Sequence, residues 1–414
     1  MSYDALLARV RKRYLGSGDF NGLYLHGASL EANREECMQL MSDGLIEMVS
    51  EKDYLNPHIR PWPSKRSTAD QIADVRSYPA NSYGFCIYPT TAGMRGVRVP
   101  VRYRDNPYQY ALARGRSTLE LAYFSMDVLE PYRNDPRYRF VFGDFGADMS
   151  ISDDAFLDEE EADRDKVSLS HIGFAYDLTQ YEPEDAASPI IRRVAAFYGD
   201  LAKLTHEHQQ RWHTYEVGPD ALEPHPAWWM SQMGHWRDRL GPLERLFQTL
   251  EELNTLTKNA FEEPLFVDVQ RPTNFGWLLR PAQRDWDEFV SQFDKMLSEN
   301  LRHGFFDSVG TAKKDERGQV IGTVNRLGQF MREHGAGTNY VKAILKPLRE
   351  VRQARQRPAH TLRLNVTDKT FVHKQVALVW DVTDALVTLR SWLATHPANT
   401  SWTSSYDDMG TYRI

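Results

Sequence analysis

Arg352, Arg355 and His360 come closer than any other residues of this chain, by type and spacing, to a chemical constellation. They stand in a segment, 339–363, that holds Lys342, Lys346, Arg349, Arg352, Arg355, Arg357 and Arg363 against a single acid, Glu350. Such a stripe can hold phosphate even though the chain's net charge is −7. Charges more than about 8 Å apart are largely screened at physiological salt, so the local balance counts for more than the sum. Arginine meets phosphate oxygens with a planar fork of donors. An imidazole, with an ordinary pKa of about 6.5, moves protons near neutral pH.

The spacing predicts the element that carries these groups. At about 100° per residue, Val341, Ile344, Leu345, Leu348 and Val351 fall on one apolar stripe, which implies a helix over 338–357 with that face in the core. One turn further along the stripe stands Arg355, with Arg352 beside it. A guanidinium on a core-facing stripe needs a carboxylate, a helix end or a phosphate, because burying it alone is costly. Pro358 should end or kink the helix, since it lacks an amide donor and clashes with the carbonyl four residues back. In an unbroken helix Arg355 and His360 would lie about 140° apart, so a break is what lets them converge. Two readings stay open at this point. In one, Arg355 and His360 act on a phosphate; in the other, Arg355 caps a helix or pairs with an acid such as Asp368 or Asp381, and His360 is a satisfied core histidine.

The remaining candidates are weaker. His206, His208, His213, His225 and His235 crowd one region, but His206 and His208 point to different sides of a helix and no HExxH pair is present. A polar inter-domain surface is the expectation there. Asp144 and Asp148 lack the order of a calcium loop and read as a turn between strands. Thr90 to Gly96 is too poor in glycine to cradle phosphate, and no GxxxxGK[ST] occurs. Arg102-Tyr103-Arg104 and Arg133 to Tyr138 interleave arginine with aromatics, which fits either nucleotide stacking or packing between elements. Cys37 and Cys86, the only cysteines, give neither a disulfide framework nor a zinc site. No cofactor or metal is expected.

Around these residues the chain divides in two. Residues 1–188 read as a mixed α/β domain. Strand-like pieces stand at 22–25, 96–101, 138–142 and 170–176, and helical patterns at 30–48 and at Ser117 to Val128. The run 153–165, with eight acids and one arginine, reads as a solvated loop. A long helix is expected from Pro189 to Trp212, within a helical connector over 189–239. Helices follow at 242–262, 284–302, 322–334, 338–357 and 370–395 in a domain spanning 240–397, with a small hairpin at 312–322. The tail 398–414 lacks a core pattern. The fold class expected is α+β, mixed α/β first and an all-α bundle after it.

Arg355-Gln356-Arg357-Pro358-Ala359-His360 resembles the Arg-x4-His motif of the HEPN superfamily of helical RNases. The surrounding 345–360, Asn365-Val366-Thr367-Asp368 and the helix over 372–397 resemble HEPN domains of bacterial defence and toxin systems, and the likeness covers about 240–397. It implies a metal-independent endoribonuclease whose motif meets a second copy in a dimer cleft. His360 would handle the proton of the ribose 2′-hydroxyl or leaving oxygen, and Arg355 would stabilise charge on the scissile phosphate. Arg349, Arg352, Arg357 and Lys346 would hold the RNA backbone. RNA, a second copy and an unidentified activating ligand or protein are the partners implied. The different-class alternative is a dimerising or RNA- or ligand-binding protein with a degenerate domain of this type. A metal-dependent nuclease in the N-terminal half ranks third.

With 41% hydrophobic and 26% charged residues the composition is that of a globular protein rather than a disordered one. The longest apolar runs, such as Val376 to Trp380, cannot span a bilayer. The N-terminal stretch lacks a signal peptide's apolar core. A cytoplasmic location without a membrane partner is the expectation.

Overall fold

The computed structural model describes residues 2–64, 66–79, 83–151, 165–177, 190–219, 221–235, 238–359, 364–406 and 409–412, with the side chains of 357–359 excepted. The chain forms two compact units. The first comprises Met1–Arg139, Asp148–Ala175 and Arg193–Leu222; the second comprises Phe140–Ala147, Tyr176–Arg192 and Glu223–Ile414. The class is α+β, with the two larger sheets in the N-terminal region and mostly helices following.

The first unit begins with α1 (Tyr3–Gly16), whose N-terminal amide at Ala5 is capped by Ser2. Strands β1 (Leu23–Leu25), β2 (Ile46–Val49) and β3 (Phe85–Pro89) form an antiparallel sheet of order β1-β3-β2. Every residue of β3 is buried, as a central strand covered on both faces requires. Helices α2 (Arg34–Ser42) and α3 (Thr68–Ser77) complete this layer. Ser67 and Asp70 start α3 with a reciprocal capping box. Leu6, Val10, Leu25, Cys37, Leu40, Val75, Phe85 and Ile87 meet in its core.

After α4 (Pro107–Ala113) come β4 (Leu121–Ser125), β5 (Tyr138–Phe142), β6 (Gly146–Ile151), β7 (Ser168–Asp177), β8 (Ile191–Phe197), α5 (His206–Thr214), β9 (Glu216–Val217) and β10 (Leu222–Pro224). The second sheet runs β5-β6-β7-β8-β4-β9, with β10 against β7. Phe124 of β4 pairs with Val194 of β8 and Glu216 of β9.

In the second unit, α6 (Pro226–Gln232) precedes β11 (Arg239–Leu240) and the long α7 (Pro242–Phe261). Then follow α8 (Gln283–Asp294), α9 (Thr323–Glu333), α10 (Thr338–Ala359) and α11 (Thr370–Ala394). Leu243, Leu246, Leu250, Leu253 and Leu256 recur at three- and four-residue steps on α7 and are all buried. Helix α7 packs along α11, and α10 packs against α8, α9 and α11. Gly328 lets α9 approach closely: a Cβ there would stand 2.6 Å from Leu345 Cδ1 of α10. The hairpin at 312–322 is present, with Lys314 bridged to Val320 and Ile321 N donating to Lys313 O at 2.9 Å.

Four local expectations are corrected. Ser117 to Val128 is not a helix but β4 followed by a 3₁₀ turn, Met126–Leu129. Ser117 Oγ donates to Arg60 O at 2.9 Å. The long helix from Pro189 to Trp212 is replaced by β8, a short helix Tyr198–Leu201 and α5, so the connector over 189–239 is not purely helical. In both cases a short apolar run fits either element locally, and the sheet it joins decides. The 30–48 pattern breaks into α2 and β2, and 96–101 is not a strand. The tail is also tied down. Asn399 is buried, and Gly410–Thr411 forms β12, which pairs in parallel with β11. The expected acidic loop, apart from Asp165, lies outside the described residues.

Candidate functional site

The sequence of α10 sets two faces. Val341, Ile344, Leu345, Leu348 and Val351 are each 0–1% exposed and pack toward the neighbouring helices. Lys342, Lys346, Arg349 and Arg352 are exposed on the same helix. Few described carboxylates neutralise this face. Lys346 stands 3.9 Å from Glu350, a loose i,i+4 pair. Arg349 donates to Asn325 Oδ1 at 3.0 Å. No described residue pairs with Arg352, whose Nη1 lies 3.9 Å from where a Cβ on Gly322 would stand.

Arg355 is different. Its Nη1 donates to Asp294 Oδ2 at 2.7 Å and to Glu299. Asp294 is 2% exposed, Glu299 54% and Arg355 itself 33%. Ser298 Oγ donates to the other Asp294 oxygen at 2.6 Å, so the carboxylate is held from two sides. The hydrogen bond to Glu299, with that to Asp294, pushes the Arg355 pKa above its ordinary value, so the group stays cationic at any working pH.

A π-helical turn, Lys295–Glu299, continuing from α8 presents these acids. Residues five apart diverge by about 140° in an α-helix. The wider i→i+5 turn brings them toward one side, and both Asp294 and Glu299 then reach one guanidinium. The partners foreseen for Arg355, Asp368 and Asp381, are not the ones it uses. Asp368 accepts from Thr370 N at 2.9 Å and lies 3.4 Å from Lys374. Nothing in the local sequence marks the π turn, so Asp294 and Glu299 could be found only from the fold.

His360 lies outside the described residues, as does the Arg357 side chain, so the distance from Arg355 to His360 is not part of this geometry. Helix α10 continues through Pro358 to Ala359, two residues beyond the expected end.

The other sequence candidates separate cleanly. Asp144 does sit in the turn between β5 and β6, where it caps α7 by accepting from Leu243 N at 2.9 Å and Glu244 N at 3.0 Å. It also pairs with Arg271 at 2.7 Å. Gly241 makes room for it, since a Cβ there would stand 1.9 Å from Asp144 Oδ2. His208 is buried against Tyr132 Oη at 2.7 Å, and burial lowers its pKa. His225 stacks on Phe145 at 3.7 Å; burial first, then the Arg192 charge, brings its pKa down to about 4. His206, His213 and His235 are exposed. Arg102 lies over the Tyr103 ring at 4.6 Å and donates to Leu15 O at 2.9 Å, so it joins elements within the first unit. Cys37 and Cys86 are buried free thiols, both pushed up to about 12 by burial. Among the described residues no group of three or more His, Cys, Asp or Glu is placed to hold a metal ion, and no helix is long and apolar enough to cross a membrane.

Fold and site together define a two-unit α+β chain whose second unit displays a basic helix with a carboxylate-held arginine in its last two turns. No protein-family model matches the chain, and no curated protein or solved structure matches it. The HEPN resemblance therefore rests on the residues that carry it in the sequence, 345–360, 365–368 and 372–397.

Proposed function

We infer that α10 is an RNA-contacting element and that the chain is a metal-independent endoribonuclease of HEPN type, of the bacterial defence or toxin class. What supports this reading is the row of exposed cations, Lys342, Lys346, Arg349 and Arg352, leading to an Arg355 that is still 33% exposed. Among the described residues, carboxylates engage Arg355 through Nη1 only. Its remaining nitrogens are the donors for a scissile phosphate, and the two acids fix where the fork points. His360 would take the 2′-hydroxyl proton as that oxygen attacks phosphorus, and the bond to the 5′ oxygen would break. With that proton, or one from water, delivered to the leaving 5′ oxygen, a 2′,3′-cyclic phosphate and a 5′-hydroxyl would result. RNA is the substrate, a second copy completes the cleft, and an unidentified ligand or protein activates it.

Cleavage assays on structured and single-stranded RNA test the reading. Activity should survive EDTA and leave a cyclic phosphate end. Loss of a general acid–base group typically costs about 10²–10⁴-fold, so His360→Ala should nearly abolish it in a folded protein. Cleavage that persists in His360→Ala, or stops with EDTA, rules out the mechanism.

A second reading is favoured by one specific observation, the bond from Arg355 to the nearly buried Asp294. The same unit uses Arg326–Asp307 and Arg390–Glu252 as internal links. If Arg355 belongs with these, α10 binds RNA without cutting it. RNA binding without cleavage in the wild-type protein, under all conditions tried, decides for that alternative.

A further inference from the structure

Two motifs that the RNase reading leaves unused meet in the first unit. Arg104 comes from the arginine–aromatic patch, and His206 and His213 come from the histidine-rich stretch. With Asp105, Tyr110 and Gln210 they line one open cleft of about 560 Å³, within the usual range for a small-ligand site of about 300–1,000 Å³. Helix α5 divides its labour to make this possible. His208, Gln209 and Trp212 are buried and hold the helix in place. His206, Gln210 and His213, at i, i+4 and i+7, share the opposite, exposed face. That face meets its neighbours through polar contacts, to Asn106, Asp105 and Glu216.

Each exposed histidine is oriented. His206 Nδ1 donates to Asn106 Oδ1 at 2.9 Å, and His213 Nδ1 donates to a Glu216 oxygen at 2.9 Å. An acceptor on Nδ1 orients each ring and leaves Nε2 for a ligand; an imidazole protonated on both nitrogens donates from Nε2 to an anion while Nδ1 keeps its acceptor. Arg104 is anchored through Nε, which donates to Val99 O at 2.9 Å. No described residue takes its two terminal nitrogens, which suit a pair of phosphate oxygens. The Gln210 amide donates to Asp105 O at 2.7 Å and ties the two walls together. The Asp105 carboxylate accepts no described hydrogen bond, and Tyr110 keeps 43% of its surface in solvent.

We propose that this cleft binds a nucleoside phosphate. Arg104, His206 and His213 take the phosphate, Asp105 accepts from the ribose hydroxyls, and the base stacks on Tyr110. The site lies within the first unit and does not rest on the RNase reading.

Titration calorimetry on the full chain tests this with the four 5′-mononucleotides, their nucleosides, inorganic phosphate and a short single-stranded oligonucleotide. At least one mononucleotide should bind saturably, with its nucleoside, which lacks the phosphate contacts, and inorganic phosphate, which lacks the stacked base, each weaker by about tenfold or more. Arg104→Gln and the double variant His206→Gln/His213→Gln should weaken binding of the nucleotide and of phosphate alike. Tyr110→Ala should weaken the nucleotide only, and Tyr110→Phe should restore it. All four side chains are exposed, and circular dichroism confirms that each variant is folded. The proposal is overturned if no mononucleotide binds below about 1 mM, if Arg104→Gln binds as the wild type does, if phosphate alone binds as tightly as the nucleotide, or if only the oligonucleotide binds.

Discussion

Arg355 shows how one side chain can satisfy two opposed readings. A guanidinium extending an apolar stripe has to find a counter-charge, and it finds Asp294 and Glu299. Removing it strands a carboxylate that is 2% exposed, with Ser298 as its remaining donor. Arg355→Ala should therefore destabilise by about 1–3 kcal/mol, less than a fully buried pair would cost because the arginine is 33% exposed. Asp294→Ala should cost a similar amount, and the double variant clearly less than the sum, as measured by urea unfolding. Strict additivity would show that the ion pair contributes nothing. His225 supplies a pH test at the same scale. Its folded pKa of about 4 lies below the ordinary 6.5, so between these values the unfolded chain binds a proton that the folded chain does not. Stability then falls on acidification from pH 6.5 towards 4, by at most about 1.4 kcal/mol per pH unit for this one group, and its contribution levels off below. His208 is shifted the same way and adds to the slope. His225→Asn keeps an N-cap acceptor for Ala227 N and should flatten the slope. An unchanged pH profile would mean that His225 is not held neutral by its site.

At the scale of elements, α10 separates what a pattern can reveal from what it cannot. Its core stripe is readable residue by residue because a helix on the surface of a bundle repeats its apolar positions every three to four residues. The other helices from 242 to 394 are readable for the same reason. The strands β4 and β8 are not: Leu121 to Ser125 and Ile191 to Phe197 are short, mostly buried runs whose partners lie far along the chain. The π turn after α8 is invisible too, since it is one residue's worth of extra winding, and with it goes the identity of Arg355's partners. The exposed face of α10 makes its own prediction. Each phosphate that the protein no longer neutralises should reduce the slope of log affinity against log salt by about one. Arg349→Ala with Arg352→Ala should lower RNA affinity and flatten that slope by about two, in filter-binding assays across a salt series. Affinity and slope that stay at wild-type values would leave the stripe as a solvated surface.

At the scale of the whole molecule, two stretches of the chain concentrate charge of opposite sign. The eight acids of 153–165 lie far in sequence from the one stretch, 339–363, where bases outnumber acids seven to one. A polyanion would be repelled from the former and drawn to the latter, so net charge alone does not decide against such a partner. The RNase reading makes a further demand on the assembly. One Arg355 and one His360 supply half of a composite cleft in the HEPN scheme, and a second copy supplies the other half. The purified protein should then have twice the chain mass by light scattering at micromolar concentration, and the dimer should persist in an RNA-free preparation. Specific activity should fall on dilution as the dimer dissociates, and mixing in excess His360→Ala chains should poison wild-type activity by forming mixed dimers. A strict monomer that cuts RNA with activity independent of concentration would break the link between motif and assembly, and with it the composite-site mechanism.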